Sequence, residues 1–509
     1  MDHETAWDSV PLVEKDTASD YEDEDEFATT ETRSRWDYVA ITIPFFGLQL
    51  AWTTQQVYGV PYLSSLGVPD GQMSIFVLSG PLAGLIGPPV VAALSDSLNI
   101  SDISQKRKLF IFVGGLGTIL SFLLLAVAEP FALTLHRSLL NVASSNAART
   151  TSQVIAGLSI YALNFSIQPL QLGLRATVVD HFAPDEQPAA NLCISVFSAL
   201  GSVFIALVGL AYKPVFLDLS IVVVSVLALL LGFSALIDPP TKLVPQYEAA
   251  APISLRAHLS RLLKKARHLP PITRRTCRVQ LLSWVAWFLV LNYTSALISR
   301  TEAESANAVS RVALLFYTTA LTTLVVVAIL WRRSRSRRRI RPDGDYNCKS
   351  EIHHGSGELA RTREVLMCWV WKPCLVALAG SLFVTCFLVL TLPTPSRLGA
   401  TVISILLGSN GMLFALANWV PYALIADEAS AHARTRVMVT ADHGTMDNED
   451  DTPGLLAVHS MAIASPQIGA SVASWLVMQG LALLGLEQHV VWIFVMCIPF
   501  ALGAACLLR

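Results

Sequence analysis

Two short stretches, Arg175-Ala-Thr-Val-Val-Asp180 and Tyr422-Ala-Leu-Ile-Ala-Asp427, decide how this chain is built. Each closes an apolar run, and each carries Ala followed four residues later by Asp. They stand about half of the 509 residues apart, the spacing expected of a chain made of two similar halves. Working outward, apolar runs recur at 38–60, 73–94, 109–128, 154–174, 189–212, 217–237, 279–297, 309–331, 374–392, 402–425, 455–476 and 489–508. A helix needs about 20 apolar residues to cross a bilayer, so twelve spans are predicted, six on either side of one long basic connection at 238–278. The composition agrees: 53% of residues are hydrophobic and 15% charged, against about 25% charged in soluble proteins. A soluble fold is excluded, and little polar sequence is left for a separate catalytic domain.

Charge sets the orientation. Lys and Arg collect in the even-numbered connections, nine of them in 238–278 and ten in 332–370, whereas the odd connections hold Arg137, Arg149, Lys213, Arg300 and Arg397. Cationic loops resist translocation, so both termini are predicted to be cytoplasmic. Residues 1–35, with Tyr21-Glu-Asp-Glu-Asp-Glu26, read as a disordered acidic tail. Residues 36–237 form the first half and 279–509 the second, with cytoplasmic loops at 332–370 and 427–453. In the 238–278 linker, 253–269 alternates leucines with Arg and Lys, as an interfacial amphipathic helix on anionic lipid does. The bilayer is thus the expected partner, and the basic runs lack the aromatic partners of a nucleic-acid site. The eight cysteines lack paired ligand spacing, so neither a metal site nor a cofactor is expected.

Polar side chains inside the runs are few and patterned. Asn164, Gln168, Gln171 and Arg175 are spaced 4, 3 and 4, which puts them within about 60° on one helical face. An intramembrane Arg costs about 2.5–3.5 kcal/mol on insertion scales, so Arg175 must face a cavity or the inner mouth. The row reads either as a hydrogen-bonded helix seam or as a substrate or gating stripe. The first run carries Gln49, Thr53 and Gln56 on one face, with Trp52, Gln55 and Tyr58 around it. Amides pair with hydroxyls and aromatic rings stack on apolar sugar faces, so this cluster suits a sugar. Trp284, Trp287, Asn292 and Tyr293 add to it from the seventh run, and Asn410, Asn418, Trp419 and Tyr422 from the tenth. His459 in the eleventh run is either a proton-responsive group or a packed core histidine. No carboxylate lies mid-run.

A parallel repeat of six helices is the build of major facilitator carriers, with substrate bound between the halves. The fold class expected is therefore an all-α membrane protein with twelve transmembrane helices in two six-helix halves. Gly47-Leu-Gln-Leu-Ala-Trp52, Pro61-Tyr-Leu-Ser-Ser-Leu-Gly67, Gly80-Pro-Leu-Ala-Gly-Leu-Ile-Gly-Pro-Pro89 and Ser95-Asp96 carry a closer likeness, continued at Arg175–Asp180, Trp419-Val-Pro-Tyr-Ala-Leu-Ile425 and Ala462-Ile-Ala-Ser-Pro-Gln467. The chain resembles the sucrose and α-glucoside carriers of the glycoside-pentoside-hexuronide cation symporter family, most of all the fungal members. The resemblance implies that Trp52, Pro61 and Tyr62 shape the sugar pathway and that Arg175 is needed for transport. It also implies that Asp96 pairs with basic residues, in the place of Lys106, Arg107 and Lys108, to hold one state, and that Asp180 is the exit aspartate of the fourth helix. The repeat gives Asp427 the matching place in the second half. Where the family carries an aspartate eleven residues before the arginine, this chain has Asn164, and where fungal relatives often have glutamate it has Gln55. The resemblance implies proton symport, yet an amide cannot carry the proton.

The expected function is a secondary sugar carrier, for sucrose, maltose or another α-glucoside, monomeric and in the plasma membrane, with a proton as the one candidate co-substrate. A non-transporting sugar sensor and a facilitator or exporter of another polar metabolite are the alternatives. An enzyme is not expected, because no nucleophile–base pair, phosphate loop or metal cluster is present in the sequence.

Overall fold

The computed structural model describes residues 34–98, 103–138, 145–182, 187–212, 216–236, 260, 263–264, 266–302, 307–339, 363–391, 397–443, 452–485 and 489–508. The expected acidic tail, most of the linker and most of the 332–370 loop lie outside the described residues. Among the described residues all regular structure is helical. In chain order the first half holds α1 (Arg35–Thr42), α2 (Pro44–Ser65), α3 (Asp70–Val77), α4 (Ser79–Ser97), α5 (Ile103–Ala126), α6 (Ala128–Ser138), α7 (Ser145–His181), α8 (Gln187–Tyr212) and α9 (Phe216–Leu236). The second holds α10 (Pro271–Thr301), α11 (Ala308–Arg339), a π-helical segment (Val365–Trp371) leading into α12 (Lys372–Thr391), α13 (Arg397–His443), α14 (Thr452–Leu483) and α15 (Val491–Cys506). Nine spans among the described residues are long and apolar enough to cross a membrane, and α15 is a shorter apolar helix. Neither α2 nor α7 is among the nine; both carry the amide-rich rows noted in the sequence.

The molecule is built inside out relative to a soluble protein. Phe112, Leu158, Leu229 and Phe383 are each more than 60% exposed, while Thr53, Asn164, Gln280, Asn410 and His459 are buried. Lipid accepts the apolar exterior, and polar groups must find partners inside.

Helix ends depart from the hydropathy pattern. α7 begins nine residues before the expected 154, α13 continues to His443 through a segment expected to be loop, and α6 was not expected at all. Hydropathy registers only the part in lipid. The extension of α13 is rich in Ala, which favours helix, and has neither Gly nor Pro until Gly444. α6 buries Ala128, Ala132 and His136, and His136 bonds Thr151 of α7 at 2.8 Å. Of the predicted amphipathic helix, Ser260, Leu263, Lys264, Ala266 and Arg267 are described as helical and exposed, whereas His268 lies in a turn and Leu269, outside the helix, is buried.

The two halves meet through α2 on α10, α8 on α11, and α3 and α4 on α14. The face where the chain enters α1 is called here the terminal face, and its opposite the far face. On the far face Gly67 (φ +77°) turns the chain from α2 into α3, a left-handed conformation that glycine adopts at no steric cost. Arg149 and Gln153 of α7 both donate to the Leu66 carbonyl there, at 3.3 and 3.1 Å.

Candidate functional site

Where the halves meet, α2, α10 and α11 line a small, partly open cavity. Gln56, Thr294, Ser295 and Tyr317 are its polar wall, and Val57, Val290, Leu291, Ile298, Val309, Val312, Ala313 and Phe316 its apolar one. Beside it Phe414 of α13 collects three aromatic rings: Trp287 at 5.2 Å, Phe316 at 5.6 Å and Trp284 at 6.4 Å between centroids. This mix of apolar and aromatic surface with a few hydrogen-bonding groups is what a small polar organic ligand needs. In the cavity wall Ser295 Oγ has no partner among the described residues, nor do the buried Gln55 Oε1, Trp287 Nε1 and Asn410 Nδ2.

The cavity is sealed on the far face. Asp70 pairs with Arg300 across the halves. Ser74 bonds both Tyr293 and Ser474 at 2.8 Å, Gln479 donates to the Gly71 carbonyl at 3.4 Å, and Tyr58 meets Ser310 at 3.0 Å. On the terminal face, α7 and α13 do not pack on one another along their length. Along the α7 row exposure rises toward that face: Asn164 is 0% and Gln168 7% exposed, Gln171 is half-buried and Arg175 exposed.

The sequence-selected residues divide. Gln56 lines the cavity, Gln55 lies one residue away, Trp287 stands in the aromatic cluster, and Asn410 is buried one turn before Phe414 on α13. Trp52 and Trp419 are half-buried against the core. Gln49 donates to Thr53 at 3.3 Å, which bonds Ser202 at 2.9 Å, so this pair stitches α2 to α8. Tyr62 stacks on Phe216 at 4.2 Å and donates to the Leu125 carbonyl at 2.8 Å; its ring is held in packing at the far end of the first half. Asn164 donates to Ser79 Oγ and the Ile160 carbonyl, both at 2.9 Å, and Gln168 follows to the Asn164 carbonyl at 3.4 Å. The inner part of the row is thus a seam against α4, and only its outer part opens. His459 is fully buried, edge-on to Tyr422 at 4.8 Å. Asp96, Asp180 and Asp427 fall in α4, α7 and α13, with side chains outside the described residues. Arg107 is half-buried on α5, and its neighbour Lys106 donates to the Ser95 carbonyl at 2.7 Å, tying the basic run to the end of α4.

Sequence reading missed Phe316, Tyr317, Ser295 and Phe414, which carry no polar pattern. It also missed Glu428, 3% exposed, which accepts hydrogen bonds from the Ile272 and Thr273 amides at 3.0 and 2.7 Å and from Thr273 Oγ1 at 2.6 Å. A carboxylate there satisfies the free N–H groups that begin α10.

With this geometry described, solved structures are similar over nearly the whole chain. The D-xylose-proton symporter aligns at a TM-score of 0.59, covering 93% of this chain and 97% of that one at 11% identity. The partially occluded inward open xylose transporter XylE from E. coli aligns at 0.56, covering 92% and 96% at 10% identity. The chain has the major facilitator fold. It is a multi-pass integral membrane protein, and it resembles sugar–cation symporters in sequence as well. The general alpha-glucoside permease of Schizosaccharomyces pombe is 26% identical over 283 residues, 52% of this chain and 49% of the permease. Sucrose transport protein SUC3 of Arabidopsis thaliana is 25% identical over 157 residues, 31% and 26% of the two chains. The chain thus spans half or less of the length of these relatives. No family model matches it.

Proposed function

We propose that this chain is a secondary carrier for a sugar of the sucrose, maltose or α-glucoside kind, working by alternating access. One observation carries the reading: two helical halves meet around an amide- and aromatic-lined cavity that is sealed on the far face by bonds made only between halves. A seal of paired side chains at one mouth is what a rocking carrier must break to expose the site to the other side. The names of its relatives support a sugar as the cargo. The positive loops support a cytoplasmic terminal face, and the reading takes the sealed face as the outer one, the plasma membrane as the site and a monomer as the working unit.

Coupling is set by α7. Asn164 occupies the buried position with an amide, and no described carboxylate lines the cavity, so transport depends weakly on pH and approaches facilitated diffusion. Asn164 also favours the second reading, a sensor that binds sugar without moving it. Counter-flow of labelled sucrose or maltose in proteoliposomes separates the two, because exchange needs no driving ion. A carrier exchanges label; a chain that binds sugar but exchanges none is a sensor.

A further inference from the structure

α10 carries a row of polar side chains spaced 3, 4, 3 and 4: Thr273, Thr276, Gln280, Ser283 and Trp287, none more than 1% exposed. That spacing holds them on one face of the helix, and contacts at its two ends aim that face at α13. At the terminal face Glu428 of α13 accepts from Thr273. Fourteen residues further along α10 Trp287 meets Phe414, itself fourteen residues before Glu428. The helices therefore run antiparallel in register, and the row faces α13 over about 21 Å at 1.5 Å per residue.

The row is only partly partnered. Thr276 Oγ1, Gln280 Nε2 and Trp287 Nε1 find no hydrogen bond among the described residues, nor does Nδ2 of Asn410, one turn beyond Phe414. Ser283 is committed to Gln280 Oε1 at 2.8 Å. Pro421, level with Gln280 in this register, has no N–H to return to the Ala417 carbonyl. On α14 neither ring nitrogen of buried His459 is bonded among the described residues. Its neighbours Val458 and Ala462 share one apolar cluster with Cys277 of α10 and Ile425 of α13, which brings α14 against the seam. In the first half, by contrast, Gln49 and Thr53 find each other and Ser202. Buried polar atoms are rarely left unpaired, and a polar gap that offers two to four partners holds ordered water.

We infer that the seam between α10 and α13 holds a file of bound water molecules running from Glu428, past His459, to Trp287 and Asn410 at the central cavity. The inference deepens the carrier reading and rests on it only for its use. It gives the cavity a hydrated polar connection to the terminal face that does not run along α7. The titratable and charged groups described around it are Glu428 and Tyr422 on α13, Arg274 and Cys277 on α10, and His459 on α14.

X-ray radiolytic hydroxyl labelling of the full chain in nanodiscs tests the file, because the radicals form at the bound water itself. After correction for intrinsic reactivity, Trp287 and His459 are expected to label several-fold faster than Phe494, which is as buried but packed in apolar core. Thr276→Val with Gln280→Leu is expected to cut the labelling of Trp287 and leave the rest of the map unchanged. Labelling of Trp287 and His459 no faster than Phe494, or an unaltered Trp287 rate in the double variant, overturns the inference. No sugar is needed, so a chain that labels as expected but fails counter-flow refutes the carrier reading and leaves the file standing.

Discussion

Asn164 is the residue on which mechanism turns. It is wholly buried, spends its amide hydrogens on Ser79 and Ile160, and leaves Oδ1 unpartnered. Aspartate has nearly the same shape and can take and release a proton, which the amide cannot. Asn164→Asp is therefore expected to make uptake acid-stimulated and concentrative, measured as initial uptake against external pH in cells with and without a protonophore. Steep acid stimulation of the unmodified chain, abolished by the protonophore and indifferent to His459→Ala, places coupling elsewhere. At the open end of the same row, Arg175→Ala is expected to reduce net uptake to background while the protein still reaches the membrane, because removing an intramembrane charge eases insertion. Uptake at the unmodified rate makes the row purely structural. The row itself was legible because amides and an arginine stand out against apolar sequence. The α10 row has the same 3-and-4 spacing but is made mainly of Thr and Ser, which hydropathy passes over, and Glu428 was overshadowed by Asp427, its neighbour in the repeat.

At the scale of elements, hydropathy marked the long apolar helices but not α6, and it left open how closely helices approach. α11 and α13 touch at backbone distance: a Cβ on Gly411 falls on the Phe316 carbonyl, and one on Gly408 on the Leu315 side chain. Thr319 closes the contact by donating to the Gly408 carbonyl at 3.2 Å. Small residues permit such approach between membrane helices. Gly411→Leu is expected to force the pair apart at an overpacking cost of about 1–3 kcal/mol, lowering the melting midpoint in detergent by several degrees and disordering the wall that carries Asn410 and Phe414. Gly469→Ala is the matched control, since a Cβ there meets nothing within 4 Å and alanine favours helix by about 1 kcal/mol; its midpoint is expected to hold or rise. Equal losses in the two variants refute the close approach as the cause.

For the whole molecule, the echo of Arg175–Asp180 in Tyr422–Asp427 announced two halves, and the basic loops predict their orientation. A tag at residue 260 is accordingly expected to be reached only from the cytoplasm, and labelling from outside intact cells overturns that topology. Which mouth is closed could not be read from sequence, because the closing pairs lie 230 residues apart for Arg300 and Asp70 and 400 for Ser74 and Ser474. Their strengths differ in a way that can be measured. Arg300 and Asp70 are 34% and 25% exposed, so water and salt screen the pair and its contribution is at most about 1 kcal/mol. Tyr293, Ser74 and Ser474 are buried, and removing the Tyr293 hydroxyl costs about 0.5–1.5 kcal/mol that salt does not touch. Opening the far face exposes Thr294 in the cavity wall, so Thr294→Cys reports it through the rate of labelling by an impermeant maleimide added on that side. Arg300→Ala is expected to raise this rate by about twofold in low salt and less in high salt. Tyr293→Phe combined with Arg300→Ala is expected to raise it by about tenfold in low salt and by somewhat less in high salt, since about 1.4 kcal/mol is a factor of ten in the open population. If Arg300→Ala alone matches the double variant, the seal is held by charge rather than by the buried hydroxyls.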